Sequence, residues 1–364
     1  MWKTNWQDTK KHFIDWWNRE GLVIGTWGCP PPPANVTPHE IVEAPPQPKS
    51  VYDSYADGEQ RAMRSHAWLA RSVFPCDVLP LSFTDIGPGS LALFCGCKPG
   101  FSKETVWFEP CIQDSLEPEK LPPIKFDSSC EWWKITETTM KACARLARGK
   151  YIVGCPDLVE NIDILASMRD AQTLLMDMIE RPEWVEQKLK ELNQVWFEAY
   201  QRIYDIIKLE DGSSAFGPFC IWGPGKTAKV QCDASAMFSP DMFRQFVVPS
   251  LTRQCEWLDN SMYHLDGTQA VCHLDALLEI EPLDAIEWTP QSGIECGGNP
   301  RWFDMYRKIL KAGKSVQVTG IKPAEVIPLL DAIGHKGVYT LVEFNSVAEA
   351  EALESAVNKH LRGQ

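Results

Sequence analysis

The chain has 364 residues, 44% of them hydrophobic, enough for a large core, and its 36 Lys and Arg against 49 Asp and Glu give a formal net charge of -13. A surface for nucleic acid or an anionic membrane would have to be assembled against that field, so neither is expected as a partner. No run approaches the roughly 18 apolar residues of a spanning helix, and the charged opening stretch lacks a secretory signal, so a soluble, cytoplasmic protein with reduced cysteines is expected.

Taken in chain order, residues 1–130 are irregular. Pro30-Pro31-Pro32-Pro33 and Pro45-Pro46-Gln47-Pro48 bar helix and central strand alike, while Trp27, Tyr52, Tyr55 and Trp68 interleave with the prolines. The segment reads as a lid of loops and short elements, since a disordered tether would be poorer in aromatics. Cys95-Gly96-Cys97 is too tightly spaced for a CxxC metal knuckle and reads as a loose or buried pair.

Over residues 131–364 helical and strand patterns alternate. Pro182-Glu183 opens a long helix whose stripe runs through Val185, Leu189, Leu192, Trp196, Ala199, Ile203 and Ile206. Ser239-Pro240-Asp241 starts another helix, and Ser346-Val347-Ala348-Glu349 is a capping box before the last one. Between helix-sized segments lie the apolar runs 151–153, 262–265, 285–288, 315–318 and 337–341, read as parallel strands of repeated βα units. No GxGxxG or GxxxxGK[ST] follows a strand, which removes the usual signal of a nucleotide-binding open sheet. The expectation is an α/β protein with a (β/α)8 TIM barrel and an elaborated N-terminal region, one domain over residues 1–364.

Active sites of such barrels lie at the carboxyl ends of the strands. His264 and Asp266 flank Leu265 at a strand end, so both side chains point the same way; His264 reads equally well as a satisfied core histidine, with Asp266-Gly267 making the turn. Asp233 lies too far ahead of the Ser239 cap to serve it, which leaves a site role or the ordering of its own loop. Glu287 ends the next strand as a candidate ligand, base or hydroxyl partner, and the neighbouring Trp288 offers a stacking surface or a structural rim residue. Trp222, Lys226, Gln231, Tyr263 and Gln291 complete the candidate substrate contacts, and Glu343 is a fourth strand-end acid. His273 and Asp275 share a helical pattern in which residues two apart diverge, so they are not a site pair.

The run from Cys232-Asp233 through Ser239-Pro240-Asp241-Met242-Phe243, Phe246 and Pro249 resembles the Asp-x(n)-Ser-Pro-x-x-Phe-x-x-Phe-x-x-Pro signature of the uroporphyrinogen decarboxylase-like superfamily. His264-Leu265-Asp266-Gly267 falls where members carry a strand-end His-x-Cys-Gly, and residues 87–92 and 151–169 also resemble member segments. The resemblance covers most of the chain. It implies a barrel enzyme, either a decarboxylase or a methyltransferase that exchanges methyl groups with a corrinoid protein or a thiol. The decarboxylases' Arg-Gln-Ala-Gly-Arg type segment is missing, since residues 24–30 hold no arginine, which disfavours a polycarboxylate substrate. Thiol-methylating members bind zinc through His-x-Cys and a later Cys; Asp266 stands at the first of those cysteines, which moves the implied site toward harder N/O donors: His264, Asp266 and Glu287 or Glu343.

The function expected on these grounds is methyl transfer from a small substrate to a corrinoid on a partner protein, assisted by a metal, with zinc as the metal the resemblance implies. Asp233, His264, Asp266 and Glu287 would be catalytic, and His264, Asp266 and Glu343 the metal ligands. The alternatives are a carboxylate-based decarboxylase or hydrolase acting on a small, sugar-like substrate without a corrinoid, and a catalytically silent binding protein. The oligomeric state stays open, a homodimer among the options.

Overall fold

The computed structural model describes residues 1–43, 45–103, 105–112 and 117–363. Twelve strands are present among them: β1 (Leu22–Gly25), β2 (Leu81–Ser82), β3 (Lys98–Phe101), β4 (Val106–Glu109), β5 (Ile152–Cys155) and β6 (Ser214–Phe216). The remaining six are β7 (Ile221–Gly223), β8 (Thr227–Gln231), β9 (Asn260–Asp266), β10 (Ala285–Thr289), β11 (Ser315–Ile321) and β12 (Val338–Val342).

Two arcs of strands form a barrel-like centre inside a layer of helices. One arc is six-stranded, in the order β1-β12-β11-β10-β9-β8, and parallel throughout. The other is β2-β5-β6-β7, of which only the β6–β7 pair is antiparallel. Among the described residues the backbone ladder is not continuous from one arc to the other, so the closed eight-stranded ladder expected from the sequence is not seen as such. Side chains span the interior instead. Gln317 Nε2 donates to the Phe219 carbonyl at 2.9 Å and Tyr339 Oη to the Cys220 carbonyl at 2.8 Å. These bonds tie β11 and β12 to the turn between β6 and β7, which therefore occupies the middle of the structure.

The later βα units follow the sequence pattern closely. The helix Pro182–Ile207 buries Val185, Leu189, Leu192, Trp196, Ala199 and Ile203, while at its end Ile207 is buried and the expected Ile206 is only half-buried. Ser239 caps Pro240–Phe246 by accepting from the Met242 amide at 3.3 Å. Ser346 caps the final helix, but the Glu349 carboxylate reaches back one residue further than a capping box requires and accepts from the Asn345 amide at 2.7 Å. The segment 267–278 is three short pieces rather than one helix.

The N-terminal part needs correcting. Residues 1–130 supply strands to both arcs, so the βα framework begins at Leu22 rather than at 131. The helix Trp6–Trp17 also lies here, burying Trp6, Thr9, Phe13, Trp16 and Trp17 at helical spacing. Trp16 Nε1 donates to the Val316 carbonyl and Trp17 Nε1 to that of Trp222, so this helix closes the amino-terminal end of the strands. Each fully buried ring there contributes on the order of 2–3 kcal/mol. No helix among the described residues is long and apolar enough to cross a membrane, and all 13 cysteines are free.

Candidate functional site

Parallel register decides which side chains meet. Gln231 on β8, His264 on β9, Glu287 on β10 and Gln317 on β11 are successive register partners, and all four point into the interior. Asp266, two residues beyond His264, faces the same way at the strand's end. Asp233 opens the short 3-10 turn Asp233–Met237 just after β8.

At this end of the strands Asp233, His264 and Asp266 each offer a ligand atom, and these atoms lie within 4.8 Å of one another. His264 is 9% exposed. Its Nδ1 donates to Glu287 Oε2, and Glu287, fully buried, also accepts from Thr289 Oγ1 at 2.6 Å. A carboxylate accepts, so in the neutral imidazole Nδ1 carries the proton and Nε2 keeps its lone pair for the mouth. Burial alone would lower the His264 pKa; the charge and hydrogen bond of Glu287 outweigh it and hold the imidazole above its ordinary range.

A chain of bonds fixes Asp233. Lys229 Nζ donates to Gln231 Oε1, which turns the amide so that Nε2 donates to Asp233 Oδ2 at 2.7 Å. Lys229 itself is held by Asp157 Oδ1 at 2.9 Å, with side chains 0% and 8% exposed. Behind the turn, Asp163 accepts the amides of Asp233 and Ala234 at 2.8 and 2.9 Å. The Asp233 carboxylate touches solvent yet is enclosed by protein on most sides, and that enclosure raises its pKa. Burial, then the neighbouring Asp233, pushes Asp163 up to about 6, and burial pushes Asp85 to about 7. Asp157, Asp233, Asp266 and Glu287 thus act on Lys229 and His264. That excess of acids favours a cation at the mouth.

An aromatic wall stands beside the cluster: Phe219 lies 4.6 Å from the His264 ring and 5.1 Å from Trp27, which is 45% exposed. Phe219 and Cys220 both have left-handed backbone, φ 66 and φ 50, held by the Gln317 and Tyr339 bonds. Non-glycine residues in that region cost about 1–3 kcal/mol each and persist where the surroundings over-determine them.

Several other candidates stand elsewhere. Since side chains alternate along a strand, Glu287 inside puts Trp288 outside, packed 4.9 Å from Trp302, and His264 inside puts Tyr263 outside, against Phe243. Trp222 lies on the strand that returns toward the amino-terminal end, where its ring meets Trp6 and Phe13 beneath the first helix. Lys226 precedes β8, about 16 Å of strand from Gln231, and its Nζ sits 3.8 Å from the centre of the Trp257 ring. None of these four faces the mouth. Glu343 is exposed after β12, and β10 and β11 separate it from β9, a span of about 14 Å at normal strand spacing; Asp233 takes its place in the convergent set. Glu287 lies behind His264 rather than at the mouth. Gln291 is at the rim, where its Oε1 accepts from the Thr268 amide and hydroxyl at 3.0 and 2.8 Å and so joins the loops after β9 and β10. His273 stacks on Phe243 and bonds the Ser235 carbonyl, away from Asp275's exposed position.

Sequence reasoning missed Lys229, Asp157, Asp163, Phe219 and the rim position of Trp27. Alternation within 227–231 was the one available signal, since it pairs Lys229 with Gln231. A surface cleft of about 550 Å³ lies at the other end of the strands, lined among others by Tyr151, Ile207 and Asp211. It holds no convergent group of His, Cys, Asp or Glu among the described residues.

No family model matches the sequence, and no curated protein matches it. Among solved structures the chain is similar to a methyltransferase from Methanosarcina mazei, with a TM-score of 0.64 and 11% identity over 97% of this chain and 99% of that one. At this identity the likeness concerns the fold: this chain shares that protein's α/β architecture over essentially its whole length.

Proposed function

We propose that this chain is a methyltransferase of the uroporphyrinogen decarboxylase-like superfamily, built on a (β/α)8 barrel, that moves a methyl group from a small substrate to a corrinoid on a partner protein with the help of a divalent cation. The convergence of Asp233, His264 and Asp266, with Glu287 behind His264, carries the reading. The donors fit such an ion: two carboxylates and an imidazole suit zinc or a harder divalent metal, and a carboxylate on Nδ1 is the usual support for a histidine that ligates through Nε2. Bound there, a divalent cation supplies Lewis-acid polarisation of the substrate oxygen from which the methyl group departs.

The chain's own residues do the rest. Glu287 sets the tautomer and angle of His264. Lys229 and Gln231 aim Asp233, and Asp163 pins its turn through two peptide N–H groups. Trp27 and Phe219 form the apolar wall on which a small substrate rests while water is kept from the reacting side. The likeness in fold to the Methanosarcina methyltransferase supports the reading.

The test begins with metal content. Protein purified without chelator is expected to hold about one zinc or similar ion per chain, and Asp233→Ala and Asp266→Ala to lose it. A metal-free protein that zinc does not reconstitute overturns the metal-assisted reading. Incubation with free cob(I)alamin and a panel of methyl ethers, methylamines and methyl thiols then reads methyl transfer directly. Metal-loaded protein inactive toward the whole panel, yet hydrolysing or decarboxylating a substrate, would favour the carboxylate-based alternative.

A further inference from the structure

The β3–β4 hairpin is held at its base by two sulfurs. Lys98 pairs with Glu109 at the open end of the ladder, and Cys97 and Cys111 lie just beyond it on the two sides. Cys97 is buried and Cys111 exposed, and the Cys97 thiol donates to Cys111 Sγ at 3.4 Å. Cys111 also lines a surface cleft of about 240 Å³, which gives a small solute access to it. The hydrogen bond from Cys97 holds the Cys111 thiol below its ordinary range, the direction that exposes a thiolate.

We propose that Cys97 and Cys111 form a dithiol that hydroperoxides oxidise to a disulfide, closing the hairpin at its base. The Cys111 thiolate attacks the outer oxygen of hydrogen peroxide, the O–O bond breaks, and hydroxide leaves and takes a proton, giving a Cys111 sulfenic acid and water. The Cys97 sulfur then attacks Cys111 Sγ; the S–O bond breaks, hydroxide leaves with the thiol proton as a second water, and the S–S bond forms. Two thiols are oxidised, one peroxide is reduced, and the product is one disulfide and two waters. A disulfide requires the sulfurs to close to about 2.05 Å, a small movement from where they stand.

The position gives the bond a consequence. A Cβ on Gly87 would collide with Val106 and one on Gly89 would meet Phe108 at 2.9 Å, so the hairpin packs tightly on the loop that follows β2 at the mouth end. The amides of Cys111 and Ile112 donate to the Met168 carbonyl, at the far end of the helix Asn161–Arg169 that carries Asp163. Oxidation therefore stiffens a cover anchored on the helix that holds Asp233 in place.

Treating the folded, full-length protein with one equivalent of hydrogen peroxide tests this. The intact mass should fall by about 2 Da, reversibly with dithiothreitol, and peptide mapping should find Cys97 joined to Cys111. Cys111 should react at least about tenfold faster than Cys272, which is also exposed. Cys97→Ser should leave a sulfenic acid on Cys111 that dimedone traps, and Cys111→Ser should leave Cys97 unreactive. A link from Cys111 to Cys95, which lines the same cleft, overturns the proposal. So does oxidation of Cys272 ahead of Cys111, or over-oxidation of Cys111 with Cys97 still a free thiol.

Discussion

Replacing Lys229 by methionine removes the one cation that, among the described residues, pairs with Asp157, and its cost follows from geometry. The two side chains are 0% and 8% exposed and 2.9 Å apart, so their mutual attraction is barely screened. Deleting one partner of such a pair leaves an unpaired charge, at about 3–5 kcal/mol. For a chain of this length the thermal midpoint should then fall by about 4–7 °C. Burial raises the pKa of Glu160, the other acid beside Lys229. Adding Asp157→Asn removes the orphaned charge and keeps an oxygen for the Val159 amide, so the double variant should recover to within about 1–2 kcal/mol of the parent. Urea unfolding at neutral pH, followed by tryptophan fluorescence and circular dichroism, reads all three proteins. A single variant that loses under about 1 kcal/mol, or a double variant no more stable than the single, refutes the buried pair as the organising element behind Asp233.

Three further outcomes follow from the same geometry. Glu287→Gln removes the carboxylate that orients His264 and, on the proposed metal-assisted function, should weaken zinc binding about 10–100-fold in a competitive chelator titration, with the far-ultraviolet spectrum unchanged; equal affinity would remove Glu287 from the site. Trp222→Ala and Trp288→Ala should each cost about 3–5 kcal/mol of stability and leave KM unchanged in any surviving activity, whereas Trp27→Ala should raise KM with stability altered by no more than about 0.5 kcal/mol. A raised KM in the first two would put those indoles back at the mouth. The hydrogen bond to Asp77 raises the His12 pKa, so its stabilising contribution is complete below the unfolded value of about 6.5 and is lost as pH rises through the folded value. The fall in thermal midpoint between about pH 5.5 and 8.5 should be shallower in His12→Gln, and identical slopes would sink the assignment.

The sequence by itself determined the later strands and their helices, because alternating apolar runs, caps and N1 prolines are local signals read over a handful of residues. Local alternation was likewise enough to point His264 and Asp266 the same way. The first strands escaped notice because β1 and β2 are four and two residues long, too short for a period to show among prolines.

What only the tertiary structure decided is which strand ends are neighbours. Asp233 joins His264 and Asp266 because β8 pairs with β9, whereas Glu343 is excluded because β12 lies further round the same arc. The pleat sends Tyr263 and Trp288 outward as the price of turning His264 and Glu287 inward, and a strand reversing at Phe219 carries Trp222 to the far end. Register, strand order and chain reversal are set by packing between segments distant in sequence, so no local pattern encodes them.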